Sequence, residues 1–483
     1  MIDVTFQRKD FNDSLADWML VSDVCHGQRK VKGKKDQYLP LLNGDDKTRD
    51  AEIRYDRYVE RAVFYNATGR TLEGLVGAVF KKDPVLEVPA SLEYVKSNVD
   101  GQGISIAQQS KDTIAEVLKK GRHALYADYP TTDRATTVKE RTSGEFNATI
   151  KSISADCVKN WKVTQRGSRI ILSLVVIHEL VEEDTEDGFG VEEIDQYRVL
   201  RLFQSVYVVE IWRKDKEGVW YIYDLYQPLD GSGKAWNEIP FTFVGSENND
   251  SAIDKAPLLD LANLNIAHYR NSADYEDSAF FVGQVQPFIT ELDDEWRDWL
   301  QKQGIVIGSR NPILLPKGST FGYAQAEPNM ISFEAMKHKE EQMKSLGARL
   351  LEKGLAVKTA TQANSENASE HSVLSLVVSN VTDAYLQCLE WVARFMNTSE
   401  AIEFEINNEF IEHNLDPQVL TALASAWQTG KLVSQQDIWK YLKKVGVIDS
   451  EKTDDEIEEE LDNNDSGLGL DENEGEDVDR EAA

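Results

Sequence analysis

Apolar positions recur at helical spacing through the first 120 residues, at strand spacing through the next 120, and at helical spacing again from Pro257 onward. Residues 1–65 read as helical and end in RYDRYVERAVFYNAT. In the stretch YNATGRTLEGLVGAVFKKDP, residues 65–84, Leu72, Leu75, Val76 and Val79 fall at i, i+3, i+4 and i+7, with Gly69, Gly74, Gly77 and Ala78 between them. This predicts a helix held close to a neighbour by its glycines and broken at Lys81-Lys82-Asp83-Pro84. A further helix near Ile104–Lys120 is stopped by Gly121, and HALYADY, His123–Tyr129, reads as the strand that follows. From about Thr149 to Val244 the segments DCVKNWKVTQ, SRIILSLVVIHELVEE, DQYRVLRLFQ, SVYVVEIWRKD and VWYIYDLYQP are β-branched, aromatic and separated by short turns. They predict an antiparallel meander of five or six strands, so the first half of the chain is an α+β body.

Pro257 and Gly283 bracket a helix of roughly 39 Å at 1.5 Å per residue. Asn263, Asn265, His268, Asn271, Ser272 and Asp274 interrupt its apolar positions, a pattern that suits packing among identical copies or lining a wet space. A mixed insert follows to about Asn329: the strand VQPFIT, the amphipathic helix DDEWRDWLQKQG, and the strands IVIG and PILLP. A second long helix, about Ile331–Lys353, carries Phe333, Met336, Met343, Leu346 and Leu350 on one stripe. GLAVKTATQANSENASEH is small and polar, a loop between strong helices. The third helix, about Ser372–Met396, places Val373, Leu376, Val377, Val381, Ala384, Tyr385, Cys388, Val392 and Phe395 on its apolar side. Asp416-Pro417 opens a helix that Gly430 stops, and Ser434 with Asp437 caps IWKYLKKVG.

Charge changes this picture at one end. Between Val447 and Ala483 there are 17 acidic and two basic residues, so the tail holds −15 of the net −31 and reads as disordered. A chain this acidic does not grip nucleic acid by releasing counterions, although it could surround DNA. No run approaches the roughly 18 apolar residues of a membrane span, and the N-terminus shows no secretory pattern. Cys25, Cys157 and Cys388 are odd in number and far apart, which predicts free thiols.

Candidate chemistry is sparse. The glycine-rich stretch is not a phosphate loop, because Leu75 and Val76 follow Gly74 where a Lys and a hydroxyl are needed. His178-Glu179 lacks the second His of a zinc helix, since residue 182 is Glu182, and it lies on a strand. His338 belongs to a charged helix face. With no catalytic elbow, CxxC pair or Rossmann glycine string, the chain is not expected to be an enzyme, and neither a cofactor nor a metal site is expected.

The order of long helix, small mixed insert, long helix, polar loop and long helix, behind an α+β body and ahead of a small helical end, resembles the portal proteins of tailed phages. The phrases YNATGRTLEGLVGAVFKKDP, DCVKNWKV, QYRVLRLF, IPFTFVG, PLLDLANLNIAHYRNSADYEDSAFFVGQ, KEEQMKSLGARLLE and LASAWQTGKLVS…YLKKVGVI carry the resemblance, to a portal group first catalogued as a family of unknown function. They span roughly residues 38–450. The resemblance implies a ring, commonly of twelve subunits, at one capsid vertex of a virion made in the host cytoplasm. It implies a wing at 1–256, stem helices at 257–283 and 331–353, a clip at 284–330, and a tunnel loop at 354–371. A wing return helix at 372–400, a crown at 401–462 and an acidic tail at 463–483 complete it.

On that resemblance Lys358, Thr359, Thr361, Gln362 and Asn364 would face DNA. Asn265, His268, Ser272 and Lys344 would line the stem channel, and Glu295, Arg297, Trp299 and Lys302 would form the clip docking surface. Implied partners are further copies of the chain, the major capsid protein, the terminase large subunit, a head-completion or tail adaptor protein, and double-stranded DNA passing without sequence specificity, with no membrane. A cytosolic oligomeric adaptor or scaffold without a DNA channel stays open as an alternative, and so does an enzyme with dispersed catalytic groups.

Overall fold

The alternation between Val158 and Tyr226 becomes a five-stranded antiparallel sheet in chain order. The computed structural model describes residues 4–130, 146–185, 187–284, 286–303, 315–324, 330–351, 372–408 and parts of 410–457. Four helices come first: α1 (Lys9–His26), α2 (Gln28–Gly33), α3 (Arg49–Arg61) and α4 (Ala67–Val79). Next come β1 (Val85–Glu87), α5 (Ile106–Lys120), β2 (Arg122–Asp128) and β3 (Thr149–Ser154). The meander is β4 (Val158–Arg166), β5 (Arg169–Asp184), β6 (Val191–Phe203), β7 (Val206–Lys214) and β8 (Trp220–Tyr226), with β9 (Phe241–Gly245) behind it. Then α6 (Leu259–Gly283) leads through β10 (Gln286–Thr290), α7 (Asp294–Gln303) and β11 (Thr320–Ala324) to α8 (Ile331–Arg349). α9 (Val373–Phe395) and β12 (Glu403–Glu405) complete a first compact unit, Met1–Asn408; α10 (Gln435–Lys444) lies in a second, Glu409–Ala483.

Local signals set the helix ends. Ser105 accepts from the Gln108 amide at the start of α5, and Ser372 from the Ser375 amide at the start of α9, each satisfying an orphan donor of the first turn. Gly121 ends α5 at φ 68°, where an L side chain is strained. Pro257 stands in the turn ahead of α6, whose first helical residue is Leu259.

The five segments quoted above are the five strands of the meander, but the strand pattern from residue 149 to 244 extends beyond it. Thr149–Ser154 and Phe241–Gly245 leave it to flank β2, giving a separate three-stranded sheet of order β3-β2-β9. Strand periodicity marks both sheets alike, and only packing divides them. β2 is buried along almost its whole length, the mark of a strand covered on both faces. α5 and α9 pack against it, and Arg122 and Tyr126 reach Trp161 and Tyr207 of the five-stranded sheet. There the hydroxyls of Tyr126 and Tyr207 meet at 2.8 Å. Tyr385 of α9, fully buried, bonds Thr113 and Gln109 of α5. On α9 the apolar positions from Val377 to Phe395 are inside, whereas Val373 and Leu376 are exposed and Leu374 between them is buried.

Two readings of the glycine helix separate. Gly69 makes a close approach: a Cβ there would stand 2.8 Å from the Cys25 carbonyl oxygen. Gly74 and Gly77 would meet nothing within 4 Å, so they are not close contacts. Cys25, Cys157 and Cys388 are free thiols. Among the described residues no helix is long and apolar enough to cross a membrane, and no cluster of His, Cys, Asp or Glu suits a metal ion. The acidic tail from residue 461, the loop 352–371, and the helix expected after Pro417, apart from Ser425, lie outside the described residues.

Candidate functional site

The polar residues of α6 face two ways, and the buried ones anchor the helix to the body. Asn265, with no exposure, accepts from the Thr68 amide at 3.1 Å and its hydroxyl at 3.0 Å, and donates to the Tyr65 carbonyl at 2.7 Å. Ser272 accepts from the Val63 amide at 3.1 Å. Asp277 receives Arg54 at 2.7 Å and Arg61 at 3.1 Å, and Arg61 also lies 3.6 Å over the Phe280 ring. Tyr58 donates to Asp274 at 2.6 Å, and Arg270 to the Tyr38 carbonyl at 2.8 Å. Asn265, His268 and Ser272 are therefore interior residues of the chain and not channel-lining ones. The orphan backbone groups around residues 63–68, where α3 has ended and α4 begins, need partners that α6 supplies.

The far side of α6 carries α8, antiparallel to it. Tyr275 lies beside Phe333, Asn271 accepts from Lys339 at 2.5 Å, and His268 faces Glu340 at 3.4 Å, so positions rise on one helix as they fall on the other. His268 is almost wholly buried and its Nδ1 has no partner. Burial holds its pKa below the ordinary value, with Glu340 pulling the other way. On α8 only Met343 is buried; Phe333, Met336, Leu346 and Leu350 are half-buried, and Lys344 is exposed. An α6 of 25 residues is about 37 Å long, and its last turns carry the part-exposed Phe280 and Phe281 under the Arg61 and Arg54 guanidinium groups of α3.

At the outer end of the pair β10 and β11 form an antiparallel ladder with Phe288 opposite Gly322, where a side chain would strike the Phe288 ring. The sequence pattern does not predict β11, since TFGYA is short and its partner strand lies on the other side of α7; Gln286 pairs with Ala324 and Thr290 with Thr320. The predicted strands IVIG and most of PILLP lie outside the described residues. α7 packs over this ladder around a hollow of about 440 Å³ lined by Phe288, Ile289, Leu292, Leu300 and Phe321. Glu295, Arg297, Trp299 and Lys302 are all exposed on α7, with Arg297 edging the hollow and pairing to Asp294 at 3.0 Å. The five loop residues Lys358, Thr359, Thr361, Gln362 and Asn364 lie outside the described residues.

One cluster superficially resembles a catalytic arrangement. Lys120, on α5, contacts Ser154 and Asp156 of the adjacent strand end and Glu116 one turn back. Despite its burial, Lys120 is held above its ordinary pKa by Glu116 and Asp156. A lysine kept protonated cannot take a proton from Ser154, so the group is a buried ion network and not a nucleophile with its base.

What sequence reading missed is the set of partners: Asp277 with Arg54 and Arg61, Asp274 with Tyr58, and Glu340 with His268. The signal is present as acids and amides at helical spacing on α6, but the partners of Asp274 and Asp277 sit on α3, far back along the chain. Asp277→Ala is expected to cost about 2 kcal/mol, less than a fully buried pair because Arg54 is part-exposed. A lower urea midpoint at unchanged slope would show it; Glu276→Ala, at the neighbouring position, should leave the midpoint in place.

Residues 257–396, from the turn ahead of α6 to the end of α9, match a family model described as a domain of unknown function (DUF4055). No curated protein matches the chain. Among solved structures it is similar to a chain in the neck of a native gene transfer agent particle computed with twelvefold symmetry, at 13% identity and a TM-score of 0.38. That alignment covers 78% of this chain and 89% of the other. A chain of the virion of a native gene transfer agent particle is similar at 13% identity and 0.37, with the same coverages. A chain in the neck of an empty particle computed with sixfold symmetry is similar at 14% and 0.38, again over 78% and 89%.

Proposed function

We propose that this chain is a phage-type portal subunit, a head-to-tail connector that closes into a ring around a DNA channel at one vertex of a virion. The observation that carries the proposal is the α6/α8 pair: two antiparallel helices rooted in an α+β body, bearing a small β10–α7–β11 insert at their free end. α9 runs back against the same body. That is the stem, clip and wing order which the sequence resemblance implies.

The physical chemistry supports it. The buried anchors Asn265, Ser272 and Asp277 fix α6 to the wing, while Lys344 and the half-buried stripe of α8 are left for neighbouring copies. α7 offers Glu295, Arg297, Trp299 and Lys302 to a packaging motor or to an adaptor that replaces it. Copies each carrying −31 make a conduit that repels phosphate, so duplex DNA slides through without the trap a basic groove would set. In this reading the loop with Lys358, Thr359, Thr361, Gln362 and Asn364 supplies the weak contacts to DNA. The shell protein, the terminase large subunit and a head-completion protein are the remaining partners, and the chain acts by geometry, with no catalysis of its own.

The test is the mass and shape of the purified protein. Twelve copies of the 54.6 kDa chain give a particle of about 655 kDa, expected with a central hole in negative-stain images. A particle of one or two chains without a hole would count against the ring and favour an adaptor that binds through its long helices.

A further inference from the structure

Charge changes sign abruptly along the five-stranded sheet. Val158–His178, which makes β4, its turn and the first ten residues of β5, holds four cations and no acid. Glu179–Asp195, which makes the rest of β5, the next turn and the start of β6, holds nine acids and no cation. β5 runs 16 residues, about 53 Å, and so joins a basic pole to an acidic one.

The acidic pole is an arm. β4 reaches β5 only as far as Ile177, and β7 reaches β6 only as far as Gln196, so Leu180–Asp184 and Val191–Asp195 pair with each other alone. Such a two-stranded ribbon is marginal by itself, and Glu182 standing opposite Glu193 weakens it further. Side chains alternate between faces, so Leu180, Glu182, Asp184, Val191 and Glu193 share one face, whereas Glu183 and Glu192 lie on the other. Toward the base, Glu179 is paired with Arg198, Glu183 with Arg213 and Asp195 with Lys214. Glu182 and Glu193 have no cation partner among the described residues, and Leu180 and Val191 beside them are 63% and 59% exposed.

The basic pole carries the same defect with the opposite sign. Arg166 stands opposite Arg169 on the last rung before the β4–β5 turn, both on one face and both exposed. Neither meets a carboxylate among the described residues; Arg166 donates to the Asn237 carbonyl at 3.1 Å. The next rung on that face is Thr164 with Ile171, and Ile171 lines a hollow of about 440 Å³ with Ile239 and Trp391. Glu238 and Asp250 also line it, but Glu238 is held by Arg394 at 3.0 Å and Asp250 by the Ala252 amide at 2.6 Å. Lys162 lies on the opposite face of the hairpin, beside the exposed Ile170.

We infer that the acidic arm of one copy docks on the β4–β5 turn of the next, the Glu182/Glu193 rung lying on the Arg166/Arg169 rung. Both rungs are cross-strand pairs of the same spacing, so each guanidinium meets one carboxylate. Leu180 and Val191 flank the acids and come over Ile171. The inference rests on the ring reading and deepens it by naming a contact between copies. Two different patches on one chain make a heterologous contact, the kind that closes rings by rotation. Arm against arm, or turn against turn, would set like charges together, so the polarity also fixes the direction in which copies follow one another.

The test uses the full chain with Arg169→Lys, which keeps the charge and supplies an amine that a carbodiimide can couple directly to a carboxylate. Mass spectrometry of digested ring-sized particles is expected to find position 169 joined to Glu182 or Glu193. Within one chain 13 residues of β5 separate Arg169 from Glu182, about 43 Å, so such a link joins two copies. Glu182→Arg with Glu193→Arg should raise the concentration for half-assembly at least about tenfold, and adding Arg166→Glu with Arg169→Glu should restore it. Glu192→Arg, on the other face of the arm, should leave it within about twofold. Closed rings without the link, indifferent to the reversals, would overturn the arm contact while the ring reading stands. The link in open chains without rings would uphold the contact and overturn the ring. Neither link nor ring would remove both.

Discussion

Gly121→Ala is expected to destabilise the body by about 2–5 kcal/mol and to dislodge the start of α6. Gly121 closes α5 at φ 68°, a conformation that costs an L residue about 1–2 kcal/mol. The added Cβ would also lie 2.5 Å from the Asp254 carbonyl oxygen and 2.7 Å from the Lys255 carbonyl, which are backbone atoms with no rotamer to yield. Forced overpacking of this kind adds about 1–3 kcal/mol. The stretch of chain it presses on is already pinned: Ser246 donates to the Gly121 carbonyl at 3.1 Å, and Leu258 to the Leu118 carbonyl at 3.3 Å. Relief can come only by lifting residues 254–258, the segment that sets the direction of α6. A denaturant midpoint well below wild type, together with loss of the ring-sized particle, would fit this account; an unchanged midpoint would refute it. Gly74→Ala is the contrast, since that glycine is helical and open on all sides, and it should gain about 0.4–1 kcal/mol.

Acid should weaken the protein in two separate steps, the first of them set by His123. This residue is buried on β2, its Nε2 2.8 Å from the Ser152 hydroxyl and its Nδ1 without a partner. Burial lowers its pKa to about 4, below the ordinary 6.5, with Glu116 opposing the shift and Lys120 and Lys119 assisting it. Because the folded value lies below the unfolded one, the unfolded chain binds the proton first as pH falls. The stability tied to neutral His123 is complete above about pH 6.5 and is lost as pH falls toward 4. At about 1.36 kcal/mol per pH unit this amounts to about 3 kcal/mol. His268 is shifted in the same direction, by burial, and loses stability in the same sense as pH falls. Glu116 and Asp156 act in a lower one: burial would raise both, but Lys120 overrides it and brings them to about 2. Their contribution is present above the ordinary carboxylate range and disappears as pH drops toward 2. Urea midpoints measured from pH 7 to 2 should therefore fall in two stages. His123→Asn should flatten the stage between 6.5 and 4 and leave the lower one; a slope unchanged by that substitution would assign the first stage elsewhere.

The candidate site is legible from sequence in outline and not in contact. Pro257, Gly283, Ser372 and the apolar stripes are enough to draw the two long helices, the insert between them and the third helix. The polar residues of α6 are indeed too numerous for a dry face, but the face they occupy is not the one their spacing suggests. Asn265 and Ser272 are inside because the chain between α3 and α4 presents bare amides and a carbonyl that α6 satisfies, and His268 is inside between the Tyr65 ring and Glu340 of α8. A polar side chain in a helix reads the same whether water or a buried amide is its partner.

Residue order alone is enough for most of the elements: their periods, the serine starts of α5 and α9, the glycine end of α5, the acidic tail and the absence of familiar catalytic motifs. These depend on neighbours within about one turn or one pleat, where sterics and capping act directly. It takes packing in three dimensions to split the strand pattern into two sheets, to bring β1 against the distant β12, and to choose which side of α6 is interior. Such choices follow from which surfaces exclude water together, and desolvation is settled between segments that no local pattern relates.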